Sequence, residues 1–348
     1  MSQFRISRRQ TLFGAGAGLA SALGTSSTRP IAPPITAARR TSERPTLRFG
    51  VITDVHQDVM HDGVDRIGAF ARAMRDQDVD FVIQLGDFCQ PKPANDPFIE
   101  AWRGFDGPRY HVIGNHDMDG GFSRERVVEY YGMADRYYSF DRNGLHFVVL
   151  DGNDPGGTSS GYARYIAKDQ LAWLKADLEA HPRPTVVFVH QPLDSSDGVD
   201  NREDVRRILS SARKHVGHPG VIAAFSGHSH VDYSRAIDGI YYTLINSASY
   251  VWVGGDHRHR SYDARVHESH EWIDRTCPYR DPLWAVVSID LVGASIEIEG
   301  ASTDWVGPDP IGCGADPDGG HWGWDPQYSA PRISSWRFPL HGDGDIDG

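Results

Sequence analysis

The sequence predicts a mixed α/β (α+β) protein in which two mixed β-sheets pack together and are flanked by helices. Apolar strand-like runs alternate with amphipathic helical patterns from residue 47 onward, and hairpin-like pairs of strands follow them. Alternating units followed by hairpins are typical of packed mixed sheets with helices outside. The chain has 348 residues, of which 39% are hydrophobic, so it can bury the core of one large domain or of two ordinary ones.

The strands are predicted from short apolar runs bounded by turn residues. They are expected at Leu47–Ile52, Phe81–Leu85, Tyr110–Ile113, Tyr137–Phe140, Leu145–Leu150, Val186–Val189, Val221–Phe225, Tyr233–Ile237, Ile240–Ile245, Trp284–Asp290 and Ser295–Glu299. The pairs Asn143-Gly144 and Asp238-Gly239 predict tight hairpin turns.

The helices are predicted from apolar residues that recur on one face. A first helix would bury Val64, Ile67, Ala71 and Met74, and further helices are expected at Pro97–Phe105, Lys168–Ala180 and Arg202–Lys214.

The chain divides into a main domain, 47–300, and a Gly/Pro/Trp-rich extension, 301–340, which is expected to pack on it. Within these parts, Trp252–Asp281 and Thr303–Trp336 show no periodicity and predict long loops, either walls of a binding site or irregular surface packing. The last residues, 341–348, are predicted to be disordered.

Residues 1–40 predict a twin-arginine signal peptide and linker. Arg8-Arg9 precede a weakly apolar stretch, Gly14–Leu23, which is about half as long as a bilayer span requires. We therefore expect recognition by the twin-arginine export machinery, a periplasmic or secreted location and no stable membrane anchor. The alternative is a disordered tail with a chance pair of arginines.

Charge argues against nucleic acid as a partner. The formal net charge is −12, and the first forty residues carry six arginines and no acid, which leaves 29 basic and 47 acidic side chains in the body. Such a body repels a phosphate backbone. An exported chain also permits a disulfide, and Cys277 with Cys313 is the favoured pair, whereas Cys89 is expected to be a small buried residue.

Metal-ligand residues follow five of the predicted strands. These residues are Asp54, His56, Asp87, Asn115, His190, His228 and His230. Mixed oxygen and imidazole donors suit Mn, Fe or Zn, and seven ligands exceed one tetrahedral shell. They predict two divalent or trivalent ions that share a carboxylate and hold a hydroxide between them, as hydrolysis of a phosphate ester requires.

The ordered motifs resemble those of the calcineurin-like metallophosphoesterase superfamily. They are Asp54-Val55-His56, Gly86-Asp87, Gly114-Asn115-His116-Asp117, His190 and Gly227-His228-Ser229-His230, and the resemblance spans residues 47 to about 250. It implies a four-layer αββα sandwich. The histidine at position 56 is similar to the cyclic-nucleotide and glycerophosphodiesterase-like branch, which implies a phosphodiester substrate.

The resemblance also implies a role for each residue. One metal ion would be held by Asp54, His56 and His230, the other by Asn115, His190 and His228, and Asp87 would bridge them. His116 would stabilise developing charge or protonate the leaving oxygen, oriented by Asp117.

Substrate contacts are expected from Asn153, Tyr162 and Arg164, in the loop that follows the strand ending near Asp151. A solvated surface loop is the alternative for each of them. The expected substrate is a small phosphate ester, attacked directly by the bridging hydroxide. The alternatives are a phosphomonoesterase for sugar or nucleotide phosphates, and a binding protein without catalysis on the same scaffold.

Overall fold

Two six-stranded sheets form the centre of the molecule. The computed structural model describes residues 46–158, 160–213, 219–315 and 328–340, so the predicted signal, 1–40, and the predicted tail, 341–348, lie outside it. Within the described part, no helix is both long and apolar enough to cross a membrane.

The described chain contains the following strands and helices. The strands are β1 (Thr46–Ile52), β2 (Phe81–Gln84), β3 (Arg109–His111), β4 (Tyr138–Arg142), β5 (Leu145–Val149), β6 (Thr185–Phe188), β7 (Val221–Ser226), β8 (Tyr233–Ile237), β9 (Ile240–Leu244), β10 (Tyr250–Trp252), β11 (Thr276–Pro278), β12 (Ala285–Asp290), β13 (Ser295–Glu299) and β14 (Trp336–Pro339). The helices are α1 (Gly63–Asp76), α2 (Asp96–Arg103), α3 (Arg124–Tyr131), α4 (Lys168–Ala180), α5 (Arg202–Arg213) and α6 (Ala264–Ser269).

The order of strands in each sheet brings several strand ends to one edge. The first sheet has the order β14-β13-β12-β1-β2-β3 and the second β4-β5-β6-β7-β9-β8. Strands β1, β2 and β3 are parallel, with Ile52 opposite Gln84, and β5, β6, β7 and β9 are also parallel. Parallel strands end at the same edge of a sheet, so the loops after them can share one site.

The main core lies between the two sheets, where aromatic rings interlock. The Phe49 ring stacks on Phe81 at 4.9 Å between centroids and meets the edges of Phe147, Phe188 and Phe225 from the other sheet. Such edge-to-face pairs are favourable beyond the apolar area that they bury. They hold the two sheets in a fixed relation below the strand ends.

The helices cover the outer faces of both sheets. On the first sheet, α1 and α2 bury Phe70, Met74 and Trp102, and on the second, α4 and α5 bury Leu174 and Leu209. The mixed fold of two sheets and flanking helices is therefore confirmed. The predicted inward face of α1 needs one correction, because Val64 is 37% exposed, whereas Ile67, Ala71 and Met74 are buried.

The later chain adds structure that the sequence did not predict. Strands β10 and β11 form a two-stranded ribbon, in which β11 lies within the predicted loop Trp252–Asp281 and β10 ends where that loop begins. Strand β14 extends the first sheet beside β13. Both predicted hairpin turns are confirmed. Asn143 and Gly144 have φ values of 47° and 81°, the left-handed pair of a type I′ turn.

Candidate metal centre

The seven predicted ligands converge on one edge of the sandwich. Asp54 and His56 follow β1, Asp87 follows β2 and Asn115 follows β3 in the first sheet, while the remaining ligands follow β6 and β7 in the second. Six of them, all except Asn115, form two groups of three side chains in which the candidate ligand atoms lie within 4.8 Å of one another.

The first group consists of Asp54, His56 and His230, all buried. His230 Nε2 lies 3.2 Å from both Asp54 Oδ1 and His56 Nε2. Three donor atoms that face one another at such distances fit one metal ion.

The second group consists of Asp87, His190 and His228. His190 Nε2 lies 3.2 Å from Asp87 Oδ2 and 3.3 Å from His228 Nδ1. The same Asp87 Oδ2 is 3.6 Å from His56 Nε2, so one carboxylate oxygen lies between the two groups. This is the position that a bridging ligand would take.

Asn115 supplies an independent test of the fit. Its side chain is buried, and its Oδ1 atom has no hydrogen-bond partner among the described residues. A buried amide oxygen without a partner is costly, and a metal ion would satisfy it. The residues present therefore fit the metal ions that the ligand pattern predicts.

Backbone carbonyls fix the tautomers of two ligand imidazoles. His190 Nδ1–H donates to the Leu85 carbonyl at 2.8 Å, and His230 Nδ1–H donates to the Tyr250 carbonyl at 2.8 Å. Each Nε2 is then left with its lone pair toward the site, as metal-binding histidines require.

The ligand loops use strained backbone. Asp54, His56, Asp87, His228 and His230 all have positive φ, between 49° and 72°. Asp and His enter this left-handed region more readily than β-branched residues, at a cost of roughly 1–3 kcal/mol each. Strain concentrated at one edge is typical of a functional site.

Two motif glycines allow the loops to approach each other. A Cβ on Gly114 would lie 2.2 Å from Asp87 Oδ1, and a Cβ on Gly227 would lie 2.4 Å from Asp54 Oδ2. Contacts this short do not occur, so any side chain at either position would displace a ligand carboxylate.

The electrostatics of the site favour a cation. Burial alone would raise the pKa of Asp54, but the facing His230 lowers this pKa to about 2. Burial lowers the pKa of His56 to about 3. Burial also acts to lower the pKa of His190, but the negative charges of Asp87 and Asp54 overcome this effect and raise the pKa to about 9. Buried carboxylates thus draw positive charge to His190, and a metal ion can provide that charge instead of the proton.

His116 lies beside the first group, with its ring centroid 5.3 Å from that of His56. Its Nδ1 is 2.7 Å from Asp119 Oδ2 and 3.2 Å from the Tyr162 hydroxyl, which itself donates to Asp119 Oδ1 at 2.8 Å. Partial burial alone would lower the pKa of His116, but Asp87 and Asp119 raise it to about 9.

Asp117 does not orient His116, so this prediction was wrong. The Asp117 carboxylate is buried and accepts hydrogen bonds from the backbone N–H groups of Gly114, Phe88 and Cys89. Burial, followed by the nearby Asp87, raises the pKa of Asp117 to about 7. Asp117 therefore braces the loops after β2 and β3, and Asp119 takes the role beside His116.

The three predicted substrate contacts have different environments. Tyr162 is 45% exposed and packs on His116. Asn153 is buried, and its amide donates to the Ile113 carbonyl and to Asp151 while its oxygen accepts from Gln191. These bonds occupy Asn153 in support of the β3 loop, which corrects its predicted role.

Arg164 braces the second-sheet side of the site. Its guanidinium donates to the Asp197 carbonyl. The Asp197 carboxylate in turn accepts a hydrogen bond at 2.8 Å from the hydroxyl of Ser229, the residue between His228 and His230. No substrate contact by Arg164 follows from these bonds.

A sandwich of two mixed sheets with paired metal-ligand groups at one edge defines a metallophosphoesterase. The chain belongs to the calcineurin-like phosphoesterase family, whose model matches residues 47–232.

The chain is also similar to individual proteins in sequence or in fold. A manganese-dependent ADP-ribose/CDP-alcohol diphosphatase from Oryza sativa subsp. japonica is 25% identical over 261 residues, covering 54% of this chain and 79% of the relative. A dimetal phosphatase from Danio rerio shares the fold with a TM-score of 0.54 and 17% identity, covering 75% of this chain and 98% of that one. GAP50, the anchor in the inner membrane complex of Plasmodium, shares it with a TM-score of 0.52 and 14% identity over 75% and 88% of the two chains.

Proposed function

We propose that the protein is a metal-dependent hydrolase that cleaves phosphate esters, with a phosphodiester preferred, by means of two Mn, Fe or Zn ions. The observation that carries the proposal is the position of Asp87 Oδ2, which is 3.6 Å from His56 Nε2 in one ligand group and 3.2 Å from His190 Nε2 in the other. When bound, a pair of ions at such a site polarises phosphoryl oxygens and activates water near neutral pH.

His116 is the residue that we assign to proton transfer. Asp119 and Tyr162 occupy its Nδ1, which leaves Nε2 for the substrate. A positioned imidazolium can donate a proton to the leaving oxygen, and such general acid catalysis typically contributes 10²–10⁴-fold. The exposed Tyr162 ring would form a wall of the substrate site.

A diphosphate is the second candidate substrate. The Oryza sativa relative is named as a manganese-dependent diphosphatase, which favours a phosphoanhydride between two substituted phosphates and Mn²⁺ as the activating ion. Both candidates present a phosphorus atom with two substituents, unlike a monoester. A monoesterase and a binding protein remain outcomes of the test.

The test compares wild-type protein with His116→Ala on chromogenic phosphate mono- and diesters and on ADP-ribose, with Mn, Zn, Fe or a chelator. We expect metal-dependent turnover, faster for diester or diphosphate than for monoester, and a loss of about 10²–10⁴-fold in the variant at unchanged metal content. His267→Ala is the matched control, since His267 is partly exposed on α6 and accepts a hydrogen bond from the Tyr262 N–H. Metal binding without any turnover would refute the hydrolase and favour the binding protein.

We also propose export by the twin-arginine route, on the basis of Arg8-Arg9 and the weakly apolar stretch after them. Replacing both arginines by lysine preserves the charge and should trap the protein inside the cell. Fractionation that finds the variant outside in wild-type amounts would refute this route.

A further inference from the structure

We propose that His259, Cys277 and Cys313 form a third metal site, separate from the ligand groups at the sheet edge and suited to zinc. Their candidate ligand atoms lie within 4.8 Å of one another. The three residues come from three segments: the loop after β10, strand β11 and the turn at 309–315. The proposal does not depend on the proposed hydrolase activity.

The distances fit a single soft cation. The two Sγ atoms are 3.5 Å apart as free thiols, and Cys313 Sγ lies 3.1 Å from His259 Nδ1 and 3.5 Å from His259 Nε2. Two thiolates on one tetrahedral zinc ion, each at about 2.3 Å, are separated by roughly 3.8 Å. A thiolate and an imidazole nitrogen on the same ion are separated by roughly 3.5 Å.

Both ring nitrogens of His259 lie close to Cys313 Sγ. Nδ1 is 3.1 Å from this sulfur and 3.0 Å from the His257 carbonyl, and donation of Nδ1–H to that carbonyl leaves Nε2 as the nitrogen that could bind a metal ion. A backbone carbonyl that fixes the second nitrogen is the usual support of a metal-binding histidine. The His259 backbone is held as well, since its N–H donates to the Asp274 carbonyl at 2.9 Å.

A turn presents Cys313 to the other two ligands. The Cys313 N–H donates to the Asp309 carbonyl at 3.0 Å, and the Gly314 N–H donates to the Ile311 carbonyl at 2.8 Å. Shortly before this turn, the Val306 N–H donates to the Pro278 carbonyl of β11 at 2.8 Å. Cys277 itself is fully buried, while Cys313 and His259 are partly exposed, so solvent can supply a fourth ligand.

The chemistry of the donors separates this site from the predicted dinuclear centre. Two thiolates and one imidazole select zinc or copper(I), whereas carboxylate, amide and imidazole donors also suit manganese and iron. A disulfide between Cys277 and Cys313, the sequence prediction, would leave His259 without a role. A metal ion uses all three residues and ties both irregular segments to the β10–β11 ribbon.

The β10–β11 ribbon links the proposed third metal site to the ligand groups at the sheet edge. Cys277 lies opposite Val251 in the pairing of β11 with β10, and the neighbouring Tyr250 accepts the hydrogen bond that orients the ligand His230. A metal ion at Cys277 would therefore stabilise the strand that positions His230. We expect it to act structurally, without contact with substrate.

The test is a Co²⁺ titration of the reduced, full-length protein under anaerobic conditions. Thiolate-to-cobalt charge transfer absorbs in the near ultraviolet, and the predicted dinuclear centre contains no thiolate, so this band reports the third site alone. We expect the band in the wild type and in the matched control Cys89→Ser, loss of the band in Cys313→Ser, and an affinity for Co²⁺ at least tenfold lower in His259→Ala. Cys313 is partly exposed, so its replacement leaves the core intact even if Cys277→Ser fails to fold.

Metal analysis of the protein isolated from its native compartment completes the test. We expect one zinc ion more per chain in the wild type than in Cys313→Ser. Absence of the charge-transfer band in the wild type, or a band equally strong in Cys313→Ser, would overturn the proposal. An isolated protein that lacks this zinc and whose mass shows a Cys277–Cys313 disulfide would overturn it too.

Discussion

Replacing Asp119 by asparagine should weaken catalysis through His116 without removing any metal ligand. Asp119 Oδ2 lies 2.7 Å from His116 Nδ1, and Asp119 Oδ1 accepts a hydrogen bond from Tyr162 at 2.8 Å. Asparagine keeps the shape of the side chain but removes the charge that holds the imidazolium in place. The change should therefore affect proton transfer to the leaving group more than it affects binding.

The magnitude follows from the exposure of the pair. A hydrogen bond to a charged group contributes about 1.5–3 kcal/mol. The side chains of His116 and Asp119 are 41% and 33% exposed, so solvent screening places this pair at the lower end. A loss of about 1.5–2 kcal/mol of transition-state stabilisation corresponds to roughly a 10–30-fold fall in kcat.

The assay is steady-state hydrolysis of a series of aryl phosphodiesters whose leaving groups differ in pKa, with metal content measured in parallel. Poor leaving groups need the proton most, so the loss should be largest for them and small for the best leaving group. Tyr162→Phe should show the same trend more weakly. An equal loss for every leaving group, or a kcat within twofold of the wild type throughout, would refute the role of Asp119.

Two further predictions concern packing and charge elsewhere. Gly114→Ala should abolish activity and reduce metal content, because the new methyl group would overlap Asp87 Oδ1. Gly255→Ala is the control, since nothing lies within 4 Å of the Cβ that it adds. Unchanged metal content in Gly114→Ala would contradict the close approach of Gly114 to Asp87. His146 is buried between Asp141 and Asp177, at 2.7 and 2.8 Å, and these carboxylates overcome the effect of burial and raise its pKa. The stabilisation is fully present below the ordinary histidine pKa of about 6.5 and is lost as pH rises through the raised pKa. Chemical denaturation should therefore show that His146→Gln lowers the free energy of unfolding more at about pH 6 than at about pH 9. An equal loss at both pH values would argue against an ion pair.

The convergence of the candidate metal ligands could be predicted from sequence because each follows a short apolar run. Such runs become parallel strands whose ends meet, so Asp54, Asp87 and Asn115 had to come together once the order of strands was right. The partners of His116 could not be predicted in this way. A short 3-10 turn, His116–Met118, brings Asp119 to the imidazole and turns Asp117 into the core, and the sequence does not reveal which of two nearby aspartates a turn selects.

The later chain shows the same limit. The sequence predicts that Cys277 lies close to Cys313, but it does not place His259 beside them. No regular spacing or periodicity links His259 to the two cysteines. Asn153 was misassigned for a related reason. A polar residue after a strand can support a neighbouring loop as readily as it can contact a substrate, and only its hydrogen bonds distinguish the two.

Each ligand group draws on both sheets, and this division has a mechanical consequence. Asp54 and His56 follow strand β1 of the first sheet and His230 follows β7 of the second, while Asp87, which follows β2, faces His190 and His228 from the second sheet. The aromatic contacts fix the relation of the sheets below the strand ends, and coordination bonds would add a second directional link at the strand ends themselves. Metal ions held here would act as a clasp that sets the register of one sheet on the other, with a stabilisation of about 2.7 kcal/mol for each ion at a hundred times its Kd. The occupancy of the metal sites would then affect the motion of the two sheets relative to each other as well as catalysis. Hydrogen exchange at the ends of β1 and β7 would slow as these sites fill.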